Sequence, residues 1–276
     1  MVLSRNPERA RESLGAVEAH EWRDPKAEVP PAEALSGCDA VVHLLGEPVA
    51  QRWTDAAKRE IRDSRVLGTR NLVAALERAD RRPRTLISQS ATGWYGARSA
   101  EPLDESAPPA SDFLANVVQA WEAEARRASS LGVRVVTCRT GVVLSADGGA
   151  LERMLPFFKA GVGGPVAGGR QYVPWVHLDD VAGAVLFLLD RGEADGPVNV
   201  TAPEPVTNSE LSKALGRALH RPAVLPVPGF ALKLLYGEMR TVVTTGARVV
   251  PAQLRELGYE FRHASLDEAL RAALAR

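Results

Sequence analysis

Three short runs rich in β-branched residues constrain this chain most: Asp39-Ala-Val-Val-His-Leu-Leu45, Arg84-Thr-Leu-Ile-Ser88 and Val133-Arg-Val-Val-Thr-Cys138. Short, nearly continuous apolar runs of this kind read as strands buried on both faces. Two long helical patterns separate them, from Thr54 to about Ala79 and from Ser111 to about Leu131, with Thr54 and Ser111 as the expected N-caps. A strand–helix–strand order requires right-handed crossovers, and these generate a parallel sheet. The predicted fold class is therefore α/β, a doubly wound parallel sheet with a smaller, mostly helical lobe.

The lobe is expected after about residue 145. Gly161-Val-Gly-Gly-Pro-Val-Ala-Gly-Gly169 reads as a mobile loop near the ligand. Val173-Pro-Trp-Val-His-Leu-Asp-Asp180 leads into an apolar helix from Val181 to Leu189, and Pro197-Val-Asn-Val-Thr201 reads as a short strand. From Asn208 the pattern is mostly helical, interrupted by Pro222, Pro226 and Pro228, and an amphipathic helix runs from about Leu266 to Leu274. The expected division is 1–145 for the main domain and 146–276 for the lobe, with about 170–201 returning to the main domain.

With 276 residues the chain can bury a full-size core. Its formal net charge of zero, with acids and bases interspersed, argues against nucleic acid or an anionic membrane as the main partner. No apolar run reaches the length of a membrane span, and the first residues lack the apolar stretch of a secretory signal. Cys38 and Cys138 are expected to be free thiols in a reducing cytoplasm, and neither has the spacing of a metal site. The expected ligand is a small molecule.

Val2-Leu3-Ser4-Arg5 reads as the end of a strand, followed at once by a helix start in which Asn6 is the cap and Pro7 the first helical residue. In a doubly wound nucleotide-binding sheet of order 3-2-1-4-5-6 this is the second strand. No G-x-G-x-x-G follows any predicted strand. The expectation is a truncated chain lacking the first strand, its Gly-rich turn and the first helix. Such a chain would bind dinucleotide poorly, because that turn supplies the N–H groups that hold the pyrophosphate.

Ser88-Gln-Ser-Ala-Thr-Gly-Trp-Tyr-Gly96 delivers serine hydroxyls to the carboxyl end of a strand, where open α/β sheets bind ligands. Together with Asp39–Gly46, Arg62–Asn71, Trp175–Val181, Asn199–Glu204 and Arg221–Pro228, it makes the chain resemble the extended short-chain dehydrogenase/reductases. The resemblance is to their atypical, epimerase-like branch, related to nucleotide-sugar epimerases and dehydratases and carrying a helical C-terminal domain of unknown function. It implies a Rossmann-like fold, a nicotinamide dinucleotide cofactor and a small-molecule substrate, with nucleotide-linked molecules among the candidates. It also implies a monomer or a homodimer formed through the two long helices. Cofactor contacts are implied at Ser4, Arg5, Leu44, Leu45, Gly46, Arg65, Ser88 and Gln89, and substrate contacts at Arg65, Trp175 and His177. Ser90 takes the position of the catalytic serine, with Tyr95 as a replacement acid. Arg5 after the second strand favours a 2′-phosphate, hence NADP over NAD.

The departures from the family are as informative. Its enzymes place Tyr and Lys at i and i+4 on the helix after the serine strand. Here Leu114 and Val118 stand there, on an apolar face with Trp121, Ala125 and Ala128, and neither can move a proton. Arg65, where Asn is usual, shares a helix face with Ile61, Gly68, Leu72 and Leu76. It needs an acid, phosphate or carbonyl partner, and Glu122 and Glu124 are the candidate acids. Two functions remain open: an NADP-dependent epimerase or oxidoreductase, and a non-catalytic dinucleotide-binding or regulatory protein. Simpler readings accompany each site residue. Tyr95 packs its ring and bonds locally, Trp175 and Tyr172 either wall a pocket or pack in the core, and His43 and Cys138 are core residues. His177 with Asp179 and Asp180 suggests a metal, and the simpler reading, preferred here, is a helix start with acids near the positive end of the dipole.

Overall fold

A computed structural model describes residues 1–275 except Ser99 and Pro228. Pro228, expected to interrupt the C-terminal helical pattern, thus lies outside the described residues. The chain begins with β1 (Val2–Ser4), α1 (Pro7–Leu14) and β2 (Ala19–Glu21). Next come β3 (Ala40–His43), α2 (Asp55–Arg78), β4 (Thr85–Ala91), α3 (Phe113–Arg126) and β5 (Arg134–Thr140). The strands and helices stand where apolar periodicity places them. Thr54 caps α2 by accepting from the Ala57 amide. The α3 cap is Asp112, not Ser111; its carboxylate accepts from the Ala115 amide.

After β5, β6 (Val142–Leu144) and α4 (Gly149–Lys159) enter the lobe. Then β7 (Trp175–His177) pairs in parallel with β6, and α5 (Leu178–Asp190) leads to β8 (Gly196–Val200), which joins the main sheet. The lobe is completed by α6 (Asn208–Leu219), a helix over Gly229–Tyr236 and α7 (Leu266–Leu274).

The main sheet has the order β8-β5-β4-β3 and every pairing in it is parallel. Successive side chains of a strand leave on opposite faces, and here this builds two cores. Leu86 and Val135 face α2 and α3, joining Leu72, Leu76 and Ala125. Ile87, Val136 and Cys138 face the other way, onto Ala184 and Leu188 of α5. A third core, containing Leu151, Leu155, Trp175, Leu215 and Leu270, holds the lobe together. The result is a Rossmann-like sheet covered by helices on both faces, with the lobe at the carboxyl ends of its strands. Among the described residues no helix is long and apolar enough to cross a membrane.

β1 and β2 form a separate parallel pair. No ladder joins β1 to β3 among the described residues, although Leu3 and Val41 pack against the same core cluster. β3 is thus an edge of the main sheet. Val42 is 39% exposed there and Leu44, just beyond the strand, 68%.

Candidate functional site

β4 carries Ser88 and Ser90 to the carboxyl end of the sheet, but both side chains are buried. Ser90 Oγ donates to Glu122 Oε1 at 2.7 Å. Glu122, on α3, receives a bidentate grip from Arg139 at the end of β5, Nε to Oε1 at 2.8 Å and Nη2 to Oε2 at 3.0 Å. The two charged groups are only 1% and 2% exposed. A buried charge is tolerable only when paired and saturated with hydrogen bonds, and the remaining donors of Arg139 are used accordingly. Its Nη1 donates to Tyr95 Oη and to the Glu105 carbonyl, both at 3.2 Å, and its guanidinium lies 3.7 Å from the centre of the Trp94 ring.

The network extends to the lobe side. Tyr95 Oη donates to Asn199 Oδ1 at 2.7 Å. The amides of Asn199 and Gln253 donate to Glu105 Oε1 at 2.9 and 3.2 Å. Burial pushes the Tyr95 phenol up to about 12, and burial likewise raises the Glu105 carboxyl. Tyr95 therefore packs as the simpler reading expects. Its hydroxyl, however, bonds to residues distant in sequence and not locally.

Leu114 and Val118 stand against the turn that follows β4: a Cβ placed on Gly93 would lie 3.6 Å from Leu114 and 3.8 Å from Val118. The face that could carry a proton-transferring pair is thus an apolar contact between α3 and this turn. Gln89 is half-buried, and its amide donates to the Ser90 carbonyl at 3.3 Å. Ser88 Oγ is 3.4 Å from the Gln89 carbonyl.

Arg65 does not pair with Glu122 or Glu124. Glu122 is engaged by Arg139, and Glu124 by Arg70 at 2.6 Å and Arg127 at 2.9 Å. Arg65 Nη1 instead donates to the carbonyls of Glu47 at 2.9 Å and Ile61 at 3.0 Å, and its guanidinium lies 5.2 Å from the Trp121 ring centre. Burial lowers its pKa. The group supports the turn Leu44-Leu45-Gly46 from below. A Cβ on Gly46 would come within 2.9 Å of Arg65 Cζ, so only glycine leaves that guanidinium its place undisturbed.

The β1 end offers a different surface. Ser4 Oγ accepts from the Asn6 amide at 3.1 Å, and Asn6 Oδ1 caps α1 by accepting from the Arg9 amide at 3.0 Å. Arg5, Asn6, Arg11 and Glu21 line an open concavity of about 520 Å³. Among the described residues the Arg5 side chain has no hydrogen-bond or ion-pair partner.

The lobe residues expected at the substrate, Trp175 and His177, are both buried. Trp175 is 1% exposed, and its indole N–H donates to the Glu204 carbonyl at 3.0 Å; it is a core residue of the lobe. His177 is equally buried, and its Nδ1 accepts from the Asp179 amide at 3.1 Å at the start of α5. Tyr172 is half-buried beneath Arg248. The Gly161–Gly169 loop is tied down: the Val166 amide donates to Asn208 Oδ1 at 2.7 Å, and Val166 forms a bridge with Val227. His43 and Cys138 are core residues, as expected; His43 Nε2 lies 2.8 Å from Thr69 Oγ1. The residues missed from the sequence are Arg139, Glu105 and Asn199. An arginine one residue beyond an apolar strand run was the available signal.

Fold and site together define the class: a Rossmann-like protein with a serine strand and a C-terminal lobe, but with an apolar pair where Tyr and Lys stand in the related enzymes. Residues 3–201 match the NAD dependent epimerase/dehydratase family, and residues 227–273 match a domain of unknown function, DUF1731. The chain belongs to that epimerase/dehydratase family. It is 39% identical to the epimerase family protein SDR39U1 homolog, chloroplastic, of Arabidopsis thaliana, over 99% of this chain and 79% of that protein. It is 41% identical to the epimerase family protein Mb2239 of Mycobacterium bovis, over 96% and 88%. The crystal structure of human epimerase family protein SDR39U1 (isoform 2) with NADPH superposes with a TM-score of 0.87 at 30% identity, covering 99% of this chain and 90% of that one.

Proposed function

We propose that this chain is an NADP-binding member of the epimerase family in which the hydroxyls of Ser90 and Tyr95 hold the fold together and do not transfer protons. The observation that carries this reading is the buried Glu122–Arg139 pair, which consumes both hydroxyls. A proton-transfer group must reach its substrate directly or through one water. Neither hydroxyl is exposed, and the Tyr95 phenol is held away from ionisation.

The residues at the ends of β1 and β3 suit the adenosine half of a dinucleotide. Arg5 and the N-terminus of α1 would hold a 2′-phosphate. The Leu44–Gly46 turn, propped by Arg65, would form the adjoining shelf. That a similar human protein has been crystallised with NADPH supports the preference for NADP. The bound nicotinamide would supply or accept hydride. No Gly-rich turn from a strand into a helix occurs in the sequence. Among the described residues no such turn cradles the pyrophosphate.

Equilibrium titration with NADPH and NADH, followed by a panel of nucleotide sugars, tests this reading. The expected result is tighter binding of NADPH and no turnover. Turnover abolished by Ser90→Ala in a protein of unchanged stability would restore the catalytic reading of the serine strand.

A further inference from the structure

The fold brings His263 to a pair of ligand-bearing side chains, His177 and Asp179, from which the sequence keeps it far apart. His177 ends β7, Asp179 lies in the first turn of α5, and His263 arrives from the segment before α7. The donor atoms of these three residues lie within 4.8 Å of one another. His177 Nδ1 is 3.6 Å from Asp179 Oδ2, and His263 Nε2 is 3.4 Å from the same oxygen. Two ligands bound at about 2.0–2.2 Å around a tetrahedral ion stand roughly 3.3–3.6 Å apart. Both imidazole–carboxylate spacings are therefore already those of a shared ion, and the two imidazole nitrogens lie within 4.8 Å of each other. We propose that His177, Asp179 and His263 form a divalent transition-metal site suited to zinc.

The helix-start reading accounts for the His177 cap and for the acids of α5. It does not account for the placement of His263. That placement is built by Asp180, which is buried and accepts from the Arg262 amide at 2.7 Å, the His263 amide at 2.9 Å and the Tyr259 hydroxyl at 3.1 Å. A carboxylate that fixes the backbone of a ligand residue preorganises the site from its second layer. Two imidazoles and one carboxylate are a donor set for borderline ions such as zinc, cobalt or nickel, with a fourth position left for water.

Access is open on one side. The side chains of Asp179 and His263 are 21% and 14% exposed, whereas His177 is 1% exposed and forms the floor. Groups now held by these side chains must yield to the ion. The Asp179 amide would release His177 Nδ1, and Arg262, 3.8 Å from Asp179 Oδ2 but 74% exposed, would swing into solvent. A bound ion would tie the β7–α5 junction to the C-terminal segment, at a point remote in sequence from the serine strand.

The test is a Co²⁺ titration of the EDTA-treated full chain, read by visible absorption, with Zn²⁺ displacement and calorimetric stoichiometry. Wild type should show the d–d bands of a four- or five-coordinate cobalt, lost on adding Zn²⁺, with one ion per chain and a raised thermal midpoint. His263→Ala should weaken Zn²⁺ binding roughly 100-fold and abolish the midpoint shift. Asp179→Asn should weaken it as well, and it serves as the second variant should His263→Ala fold poorly. Absence of cobalt bands in wild type, or zinc affinity unchanged in the folded variants, would overturn the site.

Discussion

Replacing Glu122 with alanine leaves Arg139 charged, 2% exposed and without its bidentate partner. Its remaining acceptors are the Tyr95 hydroxyl and the Glu105 carbonyl, both neutral and both at 3.2 Å. Removing one member of a buried ion pair typically costs about 3–5 kcal/mol. Ser90 Oγ loses its acceptor in the same step, which places the loss toward the upper end of that range. For a chain of this size the thermal midpoint should fall by roughly 10 °C. The compensating variant sharpens the argument. Glu122→Met combined with Arg139→Met removes both charges, and buried pairs replaced by apolar residues of similar size are often neutral. The double variant should therefore be more stable than Glu122→Ala alone. Urea unfolding followed by tryptophan fluorescence suits the measurement, because Trp94 lies directly on Arg139. A loss of less than about 1 kcal/mol for Glu122→Ala, or a double variant less stable than the single one, would refute the claim that this pair is buried and saturated.

Other consequences follow from the same structure. Burial lowers the His43 pKa from 6.5 to about 4, so its folded form stays neutral where the unfolded chain binds a proton. Stability is then lost as pH falls from 6.5 toward 4, by about 2 kcal/mol between pH 7 and pH 5; urea unfolding of wild type and His43→Asn at the two pH values should show that increment only in wild type. Arg5→Ala should weaken NADPH roughly 10- to 100-fold while leaving NADH nearly unchanged; equal losses for both cofactors in competition titrations would remove the 2′-phosphate assignment. A Cβ on Gly141 would lie 2.1 Å from the Pro174 carbonyl oxygen, a backbone atom that cannot rotate away. Gly141→Ala should therefore lower stability by about 1–3 kcal/mol or more, and a midpoint within error of wild type would mean that the strands can part there.

The helices were legible because their signals are local. The expected span from Thr54 to about Ala79 compares with Asp55–Arg78, and Leu266–Leu274 appears at the expected residues. The α3 cap was misplaced by one residue because Ser111 and Asp112 are both good capping residues, and only the Asp112 carboxylate reaches the Ala115 amide. The site was less legible because its partners come from other layers. The apolar face of α2 showed that Arg65 needs a partner, but not that this partner is a pair of carbonyls instead of Glu122. Glu122 meets Arg139 only when α3 is laid across β5, and Arg139 sits one residue beyond the apolar run read as that strand. Trp175 and His177 lie in a mostly apolar run that fits a pocket wall as well as a core, and only the fold shows that both are buried.

Whether the serine strand belongs to the fold or to the chemistry is decided most directly by Ser90→Ala, measured for unfolding free energy and for NADPH binding in parallel. The structure predicts a stability loss of about 1.5–3 kcal/mol, as expected for a buried hydrogen bond to a carboxylate, with NADPH affinity unchanged. Unchanged stability accompanied by lost cofactor binding or lost turnover would contradict it.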